Sequence, residues 1–261
     1  MLKIIAGGAG SGKSTLMMQN ISEAVKMGRN VYVIIPDQFS FEYDRLLYKY
    51  LGIVDFNKVT ILSFARLAKD IFVKYGGIKG NYANDTIKSI YLYLAIENMR
   101  KQEKLNFFKN QIQNNNFPNS CQQIINELAA ANITPEILAD KSTSFKGNLK
   151  EKIEGIANIY TEYIRLLHDK GFKDNIGDIT QASLRAKTYG FFKGTDVFID
   201  EFKSFTADEN SFLETIIKDS ENVSICLTTE DKASVTFSVF ETVNNTVANL
   251  RHISKKYSVD F

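Results

Sequence analysis

An α/β fold, with a parallel sheet flanked by helices, is predicted by three observations. Short apolar strands alternate with amphipathic helices over the first 75 residues. A glycine-rich turn joins the first strand to the first helix. The strand pattern stops after Gly76-Gly77 and Gly80 and resumes at Val197, so a long helical stretch interrupts the sheet.

Each element follows from local pattern. Leu2-Lys3-Ile4-Ile5-Ala6 is apolar enough for a buried strand, and Ser14 to Met27 suits a helix that Gly28 ends. Val31-Tyr32-Val33-Ile34-Ile35 is a second buried strand, stopped by Pro36-Asp37. Gln38 to Leu51 is amphipathic, with Phe41, Leu46, Leu47 and Tyr50 at helical spacing. Val59-Thr60-Ile61-Leu62 is a third strand. Ser63 caps a helix to about Tyr75 whose face is Phe64, Leu67, Ala68, Ile71 and Phe72.

Helices then dominate. They span Thr86 to Gln102, Ser120 to Ala131 after an Asn114–Pro118 loop, a short piece opened by Pro135, and Leu149 to Asp169. The last is striped by Ile153, Ile156, Ala157, Tyr160, Tyr163, Ile164 and Leu167 and closed by Gly171. The sheet resumes with Val197-Phe198-Ile199. A helix with a Thr206/Glu209 capping box follows, then the strand Val223–Leu227 and a last helix from about Phe237 to Lys256. The sheet domain is therefore placed at 1–78 and 189–261, with an all-helical subdomain inserted at 79–188.

Two motifs carry chemistry. Gly7-Gly8-Ala9-Gly10-Ser11-Gly12-Lys13-Ser14 is a phosphate-binding P-loop, set between a strand and a helix as the chemistry requires. Backbone N–H groups of such a turn, continued into Thr15, cradle phosphate oxygens at a helix N-terminus. Lys13 reaches the outer phosphates, and the Ser14 hydroxyl is offered to Mg²⁺. ATP and Mg²⁺ are thus the expected ligands. Val197-Phe198-Ile199-Asp200-Glu201 is an apolar strand ending in two acids. Asp200 would hold the metal, and Glu201 would orient or deprotonate an attacking water. Alone that string is unspecific, but a P-loop in the same chain gives it a partner.

Composition narrows the class. The 261 residues are 44% hydrophobic and 24% charged, enough for an ordinary core. A net charge of +2 leaves any DNA contact to a local groove. Cys121 and Cys226 lack metal spacing and read as buried thiols of a reducing cytosol. His168 and His252 are isolated. No apolar run is long enough for a membrane and the start lacks a signal-peptide pattern, so a cytoplasmic location is expected. A thymidine-kinase-like enzyme would carry a four-cysteine zinc lasso, and a transporter ATPase a Ser-Gly-Gly-Gln-like signature. Neither pattern occurs here.

With those residues placed, the chain resembles, over essentially its whole length, the N-terminal part of an AddB-type subunit of the bacterial ATP-dependent helicase–nuclease complex, a superfamily 1 helicase relative. The resemblance rests on four ordered blocks: the P-loop, Ile34-Ile35-Pro36-Asp37-Gln38, Leu62-Ser63-Phe64-Ala65-Arg66-Leu67-Ala68, and Phe198-Ile199-Asp200-Glu201-Phe202-Lys203-Ser204-Phe205-Thr206. It implies a RecA-like P-loop domain, an AddA-type partner subunit as main motor, and single- and double-stranded DNA as partners in break repair and recombination. It also implies that a second motor-like domain, a nuclease domain and iron–sulfur cysteines lie outside this chain, leaving it at most a weak ATPase without a nuclease site.

The loops after the second and third strands are implied to touch single-stranded DNA through Gln38, Ser63, Phe64 and Arg66. Ser63 as a mere helix cap and Phe64 as a core residue are the competing assignments. Two departures stand out. The family often has Asp-Gly where this chain has Asp200-Glu201. The γ-phosphate-sensing Gln of working helicases is missing from Leu227-Thr228-Thr229-Glu230-Asp231. Two other readings remain open: a degenerate scaffold for a partner motor, and a stand-alone P-loop kinase.

Overall fold

Each strand of the main sheet runs in the same direction, and that places every strand-end motif on one edge. The computed structural model describes residues 1–77, 81–175, 177–229 and 241–260. Strand β1 (Leu2–Gly7) feeds helix α1 (Lys13–Lys26), which buries Met17, Met18, Ile21, Ala24 and Val25 along one stripe. Gly28, at φ 72°, turns the chain into β2 (Asn30–Ile34). A 3-10 turn at Asp37–Phe39 opens α2 (Ser40–Phe56), which breaks at Gly52. Strand β3 (Val59–Leu62) leads to α3 (Phe64–Tyr75), where the Ser63 hydroxyl accepts from the Arg66 backbone N–H at 3.3 Å.

The chain forms two compact units, Met1–Gly77 with Asp178–Phe261, and Ile78–Gly177. The second holds β4 (Asn81–Tyr82), α4 (Asp85–Lys101), α5 (Phe117–Ala130), α6 (Pro135–Ser142), α7 (Gly147–Asp169) and β5 (Phe172–Lys173). Its core joins Leu92, Ala95 and Ile96 to Ile125, Ile156, Tyr160 and Tyr163. This unit is not all-helical, because β4 and β5 pair in parallel. Lys88 and the Tyr163 hydroxyl both reach buried Asp174 beside that pair, at 2.5 Å each.

Then come α8 (Asp178–Tyr189), β6 (Thr195–Ile199), α9 (Ala207–Asp219), β7 (Asn222–Thr228) and α10 (Glu241–Tyr257). Helix α8 falls inside the expected insert but belongs to the sheet unit. It packs between α3 and α9 through buried Ala182, Ser183 and Ala186, and Ser183 Oγ meets Thr215 Oγ1 at 2.9 Å. The capping box of α9 forms as the spacing predicts, with Thr206 and Glu209 each bonding the other's backbone N–H.

The sheet order is β1-β7-β6-β2-β3, parallel throughout, with Ile4 opposite Ile225, Val197 opposite Val223, Val33 opposite Phe198 and Val31 opposite Val59. Central β6 is buried at every position, as a strand covered on both faces must be. Outer β1 is not the fully buried strand expected, since at the sheet edge Lys3 and Ala6 face solvent.

Two helix expectations need correction as well. Pro118 lies in the first turn of α5 rather than in the preceding loop, where its missing N–H costs nothing. In α2 the buried residues are Tyr43 and Leu47, whereas Phe41 is 78% exposed and Leu46 and Tyr50 are also exposed. Phe237, the expected start of the last helix, and Gly80 lie outside the described residues. No described helix is long and apolar enough to cross a membrane.

Candidate functional site

Parallel strands bring their carboxyl ends to one edge, where open α/β sheets take ligands. Along that edge stand, in order, the P-loop after β1, Thr228 at the end of β7, Asp200 after β6, Pro36 after β2 and Ser63 after β3. A cleft of about 640 Å³ opens there. Its walls include Gly10, Lys13, Ser14, Gln38, Asp200 and Glu201. Motifs nearly 190 residues apart in sequence (P-loop and acids) thus meet at one cavity.

The P-loop backbone explains its glycines. Gly10 and Gly12 stand at φ 75° and 87°, where side chains are strained. A Cβ on Gly8, Gly10 or Gly12 would meet no atom within 4 Å, so at Gly10 and Gly12 it is the positive φ, not crowding, that favours glycine. At Gly7, by contrast, a Cβ would collide with Ser11 Oγ at 2.7 Å. Gly12 caps α1 without a side chain, and no acid occupies the first turn. The first i→i−4 bond runs from the Leu16 N–H to the Gly12 carbonyl at 3.0 Å. The N–H groups of Lys13, Ser14 and Thr15 precede it and carry the positive end of the helix dipole. Lys13 Nζ donates to the Gly8 carbonyl at 2.6 Å, folding the ammonium over its own loop.

Asp200 follows the central strand and is only 4% exposed. Its Oδ1 accepts the Glu201 backbone N–H at 2.8 Å, and its Oδ2 accepts the Tyr43 hydroxyl at 3.2 Å. Burial pushes its carboxyl above the ordinary range, opposed by the Glu201 N–H, Cys226, Tyr43 and Lys13. Desolvation also raises Glu201, helped by the Asp200 charge and by Glu42, while Lys13 pulls it down. Glu201 stands at φ 66°, an uncommon backbone for a residue with a Cβ. Burial, then Asp200, pushes the neighbouring Cys226 thiol up to about 12.

The donor set fits a nucleotide with a divalent cation: an uncapped helix N-terminus, an ammonium, a hydroxyl at Ser14 and a buried carboxylate at Asp200. Among the described residues no cluster of three His, Cys, Asp or Glu side chains could hold a metal alone. A Mg²⁺ here would therefore lean on phosphate and water, which is its usual habit.

The four residues assigned to DNA divide. Gln38 is exposed and lines the same cleft. Arg66 is exposed and pairs with Asp37. Ser63 is buried and is used as a helix cap. Phe64 is 2% exposed, packed edge-on against Phe202 and Phe205, so neither face is open to a base. Base stacking by Phe64 is thereby corrected to core packing. Glu230 and Asp231 of the segment that lacks a sensing Gln lie outside the described residues. Tyr43 is the residue missed in the sequence. Its signal was the Tyr43/Leu47 i,i+4 pair, the two buried positions of α2.

The family model described as "ADDB, N-terminal" matches residues 4–261. The chain belongs to this family. Among its relatives, the B-type subunit of the "ATP-dependent helicase/deoxyribonuclease" of Clostridium botulinum (strain Hall) is 33% identical over 97% of this chain and 22% of its own length. The protein of the same name in Clostridium acetobutylicum is 29% identical over 99% of this chain and 22% of its own. That of Clostridioides difficile (strain 630) is 29% identical over 88% and 20%. The chain spans about a fifth of the length of these curated relatives.

Proposed function

We propose that this chain is a RecA-like, ATP-binding domain of a helicase–nuclease subunit acting in DNA double-strand break repair and recombination. The observation that carries the reading is the convergence of the P-loop and Asp200-Glu201 on one cleft. The names of the relatives support the subunit role, and with it an A-type partner and DNA as substrate.

In this reading the N-terminus of α1 and Lys13 bind the phosphates, and Ser14 with Asp200 holds Mg²⁺. The metal, when bound, neutralises charge on the outer phosphates. Glu201 orients or deprotonates water. Turnover by the chain alone is slow or absent, since an arginine finger from a second domain is worth roughly 10³-fold or more in related ATPases. Single-stranded DNA runs past the exposed Gln38 and Arg66 at the ends of β2 and β3.

Titration of ATP with Mg²⁺ against the chain and its Lys13→Ala variant tests the site. Affinity is expected to fall roughly tenfold or more in the variant, as for loss of charge-assisted hydrogen bonds. Equal and negligible affinity in both overturns the ATP site and leaves a scaffold role.

A further inference from the structure

We infer that Tyr43 is a positioning residue for the metal-binding carboxylate, tying helix α2 to Mg²⁺ through Asp200. The inference rests on the ATP-site reading above. Tyr43 sits on the second turn of α2 and is buried, and its hydroxyl donates to Asp200 Oδ2 at 3.2 Å across 157 residues of sequence. The other carboxylate oxygen is held by the Glu201 backbone N–H at 2.8 Å. Both oxygens thus have fixed donors, which sets the plane of the carboxylate at the cleft. A buried carboxylate that turns freely would hold a small, geometrically demanding cation poorly.

The position of Tyr43 also links two surfaces. Its helix begins one residue after the Asp37–Phe39 turn, which carries Gln38 on the cleft wall. Pro36, before that turn, lines the same cleft. A shift of α2 therefore moves the Asp200 partner and the Gln38 wall together. Tyr43 is in addition the only buried residue of α2, besides Leu47, among the described residues. Its ring belongs to the core with Met17, Ile21 and Leu47, so its hydroxyl alone faces the acid.

The test is the Mg²⁺ dependence of nucleotide binding in the 261-residue chain, measured for the wild type and for Tyr43→Phe. Phenylalanine keeps the ring in the core and removes only the donor. The Mg²⁺ concentration for half-maximal enhancement of ATP binding is expected to rise roughly three- to tenfold, the worth of one hydrogen bond to a charged group. Metal-free ATP binding, which depends on Lys13 and the helix N-terminus, stays unchanged. Leu47→Ala loosens the same helix without touching Asp200; it should lower thermal stability and leave the Mg²⁺ dependence as in the wild type.

An unchanged Mg²⁺ midpoint in Tyr43→Phe, or an equal shift in Leu47→Ala, overturns the positioning role while leaving the ATP site standing. A wild type that binds no nucleotide overturns both.

Discussion

Arg66 Nε lies 3.2 Å from Asp37 Oδ1, an ion pair that joins the turn after β2 to the first turn of α3. Both side chains are more than half exposed, so the pair is screened and weak. Its effect falls on Arg66, whose charge is already partly answered before any phosphate arrives. If DNA follows this edge, Asp37→Asn should raise single-strand affinity by about two- to fivefold at low salt. Arg66→Ala should weaken binding and flatten the slope of log affinity against log salt by about 0.7. Fluorescence anisotropy with a labelled oligonucleotide reads both. Identical slopes for wild type and Arg66→Ala would remove Arg66 from the DNA path.

Glu201 at φ 66° carries backbone strain, because a side chain at positive φ crowds its own backbone. A left-handed conformation costs a residue with a Cβ about 1–2 kcal/mol, and glycine recovers this less its own entropy of about 0.5–1 kcal/mol. Glu201→Gly should therefore be more stable than Glu201→Ala by up to about 1 kcal/mol in denaturant titration. Both should lose whatever ATP hydrolysis the chain performs, while retaining ATP binding. A Glu201→Ala variant that outlasts Glu201→Gly would mean the strain is absent in solution.

At the other end of the sheet, Arg29 Nη1 bonds both oxygens of Asp196 at 3.1 Å, and Asn222 Nδ2 donates to the same acid at 2.9 Å. Asp196 is buried in the central strand. Arg29→Ala leaves that carboxylate with one neutral donor and should cost about 1–3 kcal/mol of stability. Because the pair lies at the amino ends of the strands, ATP affinity should be unaffected. Chemical denaturation and nucleotide titration of the same variant separate the two effects.

Cys121 is buried within the second unit, and desolvation pushes its thiol from the ordinary 9.0 up to about 12. The thiolate is the reactive form, so Cys121 should resist a thiol reagent at pH 8 until the chain is unfolded. The linkage has a definite sign. The folded thiol holds its proton more tightly than the unfolded one, so its contribution to stability is full below pH 9. That contribution is lost as pH rises toward about 12. Cys121→Ser should flatten this alkaline decline. Melting temperatures taken from pH 8 to 11 are the measurement.

Much of the fold was legible because its signals are local. Glycines at positive φ marked the P-loop, the Ser63 and Thr206 caps marked helix starts, and Leu67, Ala68 and Ile71 marked the buried face of α3. What was hidden depends on tertiary neighbours. Helix α8 is short and polar, and its small Ala182 and Ala186 gain meaning only against α3 and α9. Two-residue strands such as β4 and β5 carry no period at all. In the site, Lys13 and Asp200 were named by motif, but the Tyr43 contact spans 157 residues and no spacing rule reaches that far. Phe64 shows the converse: a motif suggested a ligand role, and three surrounding phenylalanine rings, Phe202, Phe205 and Phe212, place it in the core.

The pairing of β1 with β7 has a consequence for how the protein is born. Leu2 aligns with Val223, and the Leu2 N–H bonds the Asp260 carbonyl at 2.7 Å, so the first strand waits for partners made more than 200 residues later. At ordinary ribosomal rates that delay is on the order of ten seconds or more. During it, residues 78–177 are synthesised with all of their own core partners and can collapse first. The P-loop strand is therefore a segment of high contact order, the kind of pairing that slows folding. Only when β6 and β7 emerge does the loop acquire both its acid and its place in the sheet.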